Sequence, residues 1–260
     1  AHGLLSPYQS AYRKGHSVES ALTHVYSSFL KELDRGRSVF LILLDLSAAF
    51  DTISHTRLIE VLHNRFGICS KALDLIKSYL SHRVSYVKIN NSLSQPTNPT
   101  VGVPQGSVLG PVLFNCIMAQ LPSMLKSIGI DSHIYADDTQ FWVSFRPEDE
   151  LVARSRIQRA FKVIGKFMTD NSLQLNADKT QFLPVSRSVI EFEPLSISDG
   201  IVIEPSNKVR NLGVIFDRQL SFRSYAGEVR KSGFFHLRRL KCLRRNMPTD
   251  CLETLIQAYI

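Results

Sequence analysis

The sequence predicts an α+β domain. Two observations carry this. Apolar runs suited to buried strands alternate with segments of helical spacing up to about residue 217, and two short alternating strands flank Asp137-Asp138-Thr139 as an antiparallel hairpin. From about residue 218 the pattern is helical and basic throughout, which marks a boundary.

The elements follow in chain order. Residues 17 to 33 place apolar side chains at helical spacing, with Ser17 and Glu19 or Ser20 as start signals and Gly36 as the stop. Val39 to Leu46 is a continuous apolar run, the pattern of a buried strand. Helices are expected from about Thr52 to His63 and from Lys71 to Leu80, then a strand from Val84 to Ile89. Asn90 to Pro104, rich in Asn, Pro, Thr and Ser, reads as loop. One helix should run from near Ser107 to about Lys126, with Gly110-Pro111 tolerated in its first turn. After the hairpin of Ser132–Ala136 and Gln140–Phe145, Pro147 and Glu148 open the longest helix, which ends near Asn171. Short strands are expected near Gln181–Val185, Ile201–Ile203 and Val209–Phe216. A basic helix with Arg238, Arg239, Lys241, Arg244 and Arg245 comes next, and Leu252 to Ile260 is again helical.

The chain has 260 residues, 44% hydrophobic and 21% charged, which allows a substantial core and excludes intrinsic disorder. Its longest clean apolar run, Val39 to Leu44, stops at Asp45, far short of a membrane-spanning helix. Lys and Arg number 31 against 23 Asp and Glu, a formal +8 that favours a polyanionic partner, nucleic acid above all. Cys69, Cys116, Cys242 and Cys251 are scattered without zinc-ligand spacing and read as free thiols. There is no signal peptide, and both ends, Ala1 and the helical stretch to Ile260, read as cut from a longer protein.

Carboxylates at strand ends hold the chemical interest. Asp45 directly follows Phe40–Leu44, where burial is costly unless the charge is paired or bound to a cation. Alone, it is as readily a turn or cap residue as a functional one. Asp137 and Asp138, at a hairpin tip, are equally ordinary alone. Together, carboxylates ending neighbouring strands make an oxygen-rich site suited to Mg²⁺ and to metal-assisted phosphoryl chemistry.

Five ordered blocks make the pattern specific. Leu44-Asp-Leu-Ser-Ala-Ala-Phe-Asp51 comes first, then Gly102-Val-Pro-Gln-Gly-Ser-Val-Leu-Gly-Pro111, then Tyr135-Ala-Asp-Asp138. Leu175-Asn-Ala-Asp-Lys-Thr180 and Asn211-Leu-Gly-Val214 follow. The chain resembles the reverse transcriptase of non-LTR, LINE-type retrotransposons, and looks most like the jockey/CR1/L2 branch. The resemblance implies a right-hand polymerase palm, an antiparallel sheet with helices. Residues 1–36 would be partial fingers, 37–217 the palm with inserted fingers elements, and 218–260 the start of a truncated thumb.

What the resemblance implies for single residues is as follows. Asp45, Asp137 and Asp138 match the palm carboxylates that hold two Mg²⁺ ions, with Mn²⁺ a possible substitute. Because neighbouring strand residues point to opposite faces, Asp137 is expected to be the closer ligand of the pair. Phe50 matches the steric gate under the incoming sugar, with an ordinary core Phe as its alternative. Gln105 and Gly106 match the turn against nucleotide and template, Gly106 permitting close approach. Lys179 matches the general acid for pyrophosphate, or is a solvated loop lysine. Arg13 and Lys14 match a fingers motif near the template, or are surface charges. Asp51 reads as a turn or cap residue, and Pro104 and Ser107 as turn and helix cap.

The implied partners are an RNA template, a DNA primer or target DNA, and deoxynucleoside triphosphates, with no membrane. An endonuclease domain is implied upstream, and an intracellular protein, nuclear during integration. Departures from the family pattern are Ala11-Tyr12-Arg13 for Gly-Phe-Arg, and Met118-Ala-Gln-Leu-Pro122 for a Tyr/Asn-Asp-Leu-Pro pattern. A catalytically dead nucleic-acid-binding remnant and an RNA-dependent RNA polymerase are the rival readings. The three intact carboxylates argue against the first, and Phe50 against the second.

Overall fold

The computed structural model describes residues 5–188, 190–198, 200–244 and 247–259. A capping box closes the start of α1 (Val18–Asp34): the Ser17 hydroxyl accepts from the Ser20 amide, and the Ser20 side chain accepts from that of Ser17. β1 (Ser38–Ser47) follows, then the short α2 (Ala49–Thr52), α3 (His55–Asn64) and α4 (Ser70–Leu80). The two-residue strands β2 (Lys88–Ile89) and β3 (Ser92–Leu93) form a small hairpin before α5 (Leu109–Met118) and α6 (Leu121–Ser127). Next come β4 (Asp131–Tyr135), β5 (Asp138–Phe145) and, after one 3-10 turn, the long α7 (Glu150–Asp170). β6 (Gln174–Val185), β7 (Leu195–Ser198), β8 (Ile201–Ile203), β9 (Lys208–Asn211) and β10 (Val214–Asp217) complete the strands, and α8 (Arg223–Leu243) and α9 (Thr249–Tyr259) end the chain.

The main sheet is antiparallel in the order β4-β5-β1-β6. β1 is central, and both its faces are covered, which is why it reads as an unbroken apolar run. Phe40, Ile42 and Leu44 point into a core built from α3, α5, α6 and α7. Val39 and Leu41 point the other way, against Val25, Phe29 and Leu33 of α1 and against Val209 and Phe216 of the β9–β10 hairpin. Each such fully buried side chain contributes about 1.5–3 kcal/mol. The chain before α1 lies along the outer edge of β4, where Ser10 N donates to Ile134 O and Ile134 N donates to Tyr8 O, so this edge is covered.

The expected fold class holds, with local differences that have physical causes. The helix expected from Thr52 breaks at Ile53, and Ser54 caps a new start by accepting from the Arg57 amide. The helix expected over Ser107–Lys126 divides in two, with Pro122 in the first turn of α6, where a missing N–H costs nothing. The strand expected over Val84–Ile89 shrinks to two residues, because residues 81–101 are exposed and offer no core to pack on. In the hairpin the turn is Ala136-Asp137; Asp138 and Thr139 already belong to β5, opposite Tyr135 and Ile134. β6 starts earlier than expected, at Gln174, and Val209–Phe216 folds back at Leu212-Gly213 into two strands. β7 was not expected. Its Leu195 and Ile197 are covered by α7.

The four cysteines carry free thiols. Among the described residues, no helix is long and apolar enough to cross a membrane. Arg238, Arg239, Lys241 and Arg244 are exposed along α8, whereas Arg245 lies outside the described residues.

Candidate active site

The register of β1 on β5 runs from Ser38 opposite Phe145 to Leu44 opposite Thr139. Asp45 follows Leu44 on β1 and Asp138 precedes Thr139 on β5, so the two end the central strands beside each other and line one cleft. Directly opposed residues of an antiparallel pair share a face, as Leu41 and Trp142 do. By strand alternation Asp45 and Asp138 stand on that side. Asp137 lies in the turn, so strand alternation does not govern it. Asp138 begins β5, next to Thr139, which pairs with Leu44 of β1. Burial first, then the charges of Asp137 and Asp45, raise the Asp138 carboxyl above the usual Asp range. The three carboxylates therefore feel one another.

Lys179 comes to this spot through a bulge. Leu43 pairs with Gln181, but Asp45 pairs with Asn176, so residues 177–180 oppose Leu44 alone. The Asn176 side chain accepts from the Lys179 amide at 3.3 Å, and its carbonyl accepts from the Thr180 hydroxyl at 2.8 Å. The bulge sets Lys179 Nζ 4.0 Å from Asp45 Oδ2, with the lysine side chain 70% and the aspartate 43% exposed. Lys179 is solvated, as its plain reading had it, and also paired with the carboxylate.

A cleft of about 130 Å³ brings Asp45, Asp138 and Lys179 together with Gln140, Arg210, Asn211 and Leu212. One lining residue, Leu212, is a non-glycine in left-handed backbone (φ 46°), and Ala136 (φ 58°) precedes Asp137 in the hairpin turn. Each costs about 1 kcal/mol or more, a strain that concentrates at functional sites. Sequence reasoning missed Arg210, Asn211 and Gln140. The Asn-Leu-Gly-Val block pointed to Asn211 alone; Gln140 and Arg210 lie outside it.

The remaining candidates sit beside the cleft or apart from it. Phe50, in α2, is half-buried and stacks on Phe114 of α5, with ring centroids 4.5 Å apart. Its carbonyl accepts from the Val103 amide at 2.8 Å, which joins the first block to the second. Gln105 Nε2 donates to both Asp51 oxygens, at 2.8 and 2.9 Å. Asp51 thus anchors the turn that carries Gln105. Gly106 (φ 75°) has open space over it, as close approach of a ligand requires. Gly102, not singled out beforehand, is the more constrained glycine: φ is 84°, and a Cβ would lie 2.7 Å from Asp51 O. Ser107 accepts from Gly110 N at 3.1 Å, one residue before Val108, the N-cap of α5. Arg13 lies elsewhere. Its Nη1 donates to Ser6 O and Gln9 O, both at 2.6 Å, so it organises its own segment and is not brought to the carboxylates.

A central antiparallel sheet with carboxylates at adjoining strand ends and helices behind it defines a right-hand polymerase palm. A profile of the reverse transcriptase (RNA-dependent DNA polymerase) family matches residues 1–216, and the chain belongs to that family. It is 25% identical over 269 aligned positions to a probable RNA-directed DNA polymerase from transposon BS of Drosophila melanogaster, covering 99% of this chain and 29% of that protein. The polymerase of the mobile element jockey of the same fly is 24% identical, covering 97% of this chain and 28% of its own length. A Pol polyprotein of the type-1 retrotransposable element R2 of Popillia japonica is 25% identical, covering 70% and 31%. The chain thus spans under a third of these relatives. Among solved structures, telomerase of Candida tropicalis with a fragment of telomeric RNA shares the fold at TM-score 0.57 and 12% identity, covering 97% of this chain and 41% of that one. The apo telomerase truncated from its C-terminal domain matches at TM-score 0.56 and 14% identity, covering 83% and 40%.

All three groups, Asp45, Asp137 and Asp138, are carboxylates, and the charges of Asp137 and Asp45 add to burial in raising the proton affinity of Asp138. Among the described residues, no group of three or more His, Cys, Asp and Glu side chains is placed to hold a metal ion.

Proposed function

We propose that this chain forms the catalytic core of an enzyme that copies RNA into DNA from deoxynucleoside triphosphates. The observation that carries the reading is Asp45 and Asp138 lining one cleft at neighbouring strand ends, with Asp137 in the adjoining turn and Lys179 4.0 Å from Asp45. Residues 37–217 serve as palm with inserted fingers elements, residues 1–36 as part of the fingers and residues 218–260 as the start of the thumb.

Asp45, Asp137 and Asp138 would hold the divalent ions, Mg²⁺ or Mn²⁺ in its place. When bound, such ions lower the pKa of a primer 3′-hydroxyl and neutralise charge on the departing pyrophosphate. The chain's own groups do the rest. Lys179, exposed and beside Asp45, can hand a proton to the leaving pyrophosphate. The Phe50 ring, fixed against Phe114, fills space where a 2′-hydroxyl would sit and favours deoxynucleotides. Asp51 fixes Gln105 in the turn where Gly106 leaves room for nucleotide and template. The exposed cations of α8 fit a phosphate backbone, in line with the +8 charge.

The test is Mg²⁺-dependent incorporation of dTTP on poly(rA)/oligo(dT), run with this chain and with one extended upstream. Template-dependent extension supports the reading. Hybrid binding without extension in both proteins supports the remnant.

A further inference from the structure

The chain before α1 is fastened to the sheet by a buried polar seam. Gln9 bridges to Ile134 on the outer edge of β4, between the bonds that Ser10 N and Tyr8 O make with Ile134. Gln9 Nε2 donates to Asn115 O of α5 at 3.2 Å, and Asn115 Nδ2 donates to Ala11 O at 2.7 Å. Ser10 Oγ lies 2.8 Å from Nε2 of His133 in β4. Gln9, Ser10, Asn115 and His133 are all buried, His133 to 3% exposure. Among the described residues, three buried side-chain atoms have no hydrogen-bond partner: Gln9 Oε1, Asn115 Oδ1 and His133 Nδ1. All three belong to this seam. Polar groups buried without a partner weaken the contact that buries them, so the seam is poised to open.

His133 adds a condition on charge. Its Nε2 is committed to Ser10, so a ring protonated on both nitrogens would carry a charged N–H at Nδ1 with nothing to receive it. The His24 ring of α1 lies 5.4 Å away, and Tyr8 lies 5.9 Å from His24. The charges that bear on His133 are those of His24 and His16, both of its own sign. β5 sets the neutral Gln140 opposite it, and Lys126 of α6 is paired with Asp131 at 2.6 Å. Burial first, then the two histidines, lower the His133 ring from 6.5 to about 4.

We propose that residues 6–13 are a proton-released strap, docked on the edge of β4 while the His133 ring is neutral and undocked when the ring is charged. The sign follows from the ring's preference for the neutral form in the docked state. Docking is fully stabilised above the free His value of 6.5, and that stability is lost as pH falls from there towards about 4. Each pH unit in this window shifts the docked-to-open ratio about tenfold. Release would bare the edge of β4, the strand that runs into the turn carrying Asp137. The device needs neither metal nor nucleic acid.

The test is amide hydrogen exchange on the full chain at pH 7.5 and 5.5, with protection corrected for the intrinsic rate at each pH. Ser10 and Ile134 report the strap, because their amides bond across the seam, and Phe40 and Ile42 of β1 report the sheet. In the parent, protection at Ser10 and Ile134 should fall about tenfold at pH 5.5 while β1 is unchanged. His133→Gln, which cannot titrate, should abolish the fall; His24→Gln should keep it. Where His133→Gln fails to fold, the ring of His133 followed by NMR in the parent decides, and should titrate well below 6.5. Equal strap protection at both pH values would overturn the proposal, as would a fall shared equally by β1. A fall that survives in His133→Gln, or a His133 ring that titrates at the ordinary value, would overturn it too.

Discussion

Lys179 lies 4.0 Å from the Asp45 carboxylate because β6 bulges by residues 177–180 where β1 contributes Leu44 alone. Both side chains are open to solvent, so the pair contributes little to stability, about 0–1 kcal/mol. A function in proton transfer predicts a different loss. Lys179→Ala should leave denaturation within that range of the parent, yet slow single-turnover extension by about 10²-fold, with Lys179→Arg recovering only part. Equal rates in Lys179→Ala and parent would leave Lys179 a surface lysine.

Asp138 makes a prediction about stability and pH. Its carboxyl is raised by burial, then by Asp137 and Asp45, so the folded protein prefers it protonated. That preference contributes fully below the unfolded Asp value of about 3.9 and is lost as pH rises through the raised folded value. Asp138→Asn should therefore raise the metal-free melting temperature near pH 7 by about 1–3 °C, solvent screening keeping the gain small. The difference should vanish towards pH 3. A variant that melts lower than the parent at pH 7 contradicts the penalty that burial and the charges of Asp137 and Asp45 place on ionised Asp138.

Phe50 is held by Phe114, so a gate and a core contact are combined in one ring. The two are separable. Phe50→Val should cost about 1–2 kcal/mol in denaturation from the lost stacking and burial. If the ring also excludes the 2′-hydroxyl, the ratio of kcat/KM for deoxy- over ribonucleoside triphosphates should drop by about 10²-fold. An unchanged ratio with the same stability loss makes Phe50 a core residue only.

The two glycines of the second block should respond unequally. Gly102→Ala brings a Cβ to 2.7 Å from Asp51 O and strains φ at 84°, so it should cost about 2–4 kcal/mol. Gly106→Ala meets only the φ cost, about 1 kcal/mol, with nothing within 4 Å to clash. Urea denaturation of the two variants gives the comparison. A larger cost at Gly106 contradicts the packing of the second block on Asp51.

The fold was legible where burial wrote a clear period. β1 announced itself because both its faces are covered, and α1 and α7 because each lays one apolar stripe on the sheet. Pattern reading failed where local chemistry overruled it. Ser54 restarts a helix that apolar spacing had joined to Thr52, and the exposed 81–101 segment alternates without a core to make it a strand. At the site, the carboxylates and Lys179 were readable from their blocks. The bulge that unites Lys179 with Asp45 was not, since a register shift leaves no mark in residue type. The bond between Gln140 and Asn211 left no mark for a related reason: a buried amide pair across 71 residues is a tertiary fact.

The central claim is that Asp45 and Asp138 act on chemistry and not on affinity. Single-turnover extension of a primer on an RNA template, measured beside hybrid binding for the parent and for Asp45→Asn, tests it most directly. The account predicts extension lowered about 10³-fold or more, a loss of several kcal/mol at the transition state, with hybrid affinity within about threefold of the parent. Near-parental extension in Asp45→Asn, or a loss matched by equally weakened binding, would contradict it.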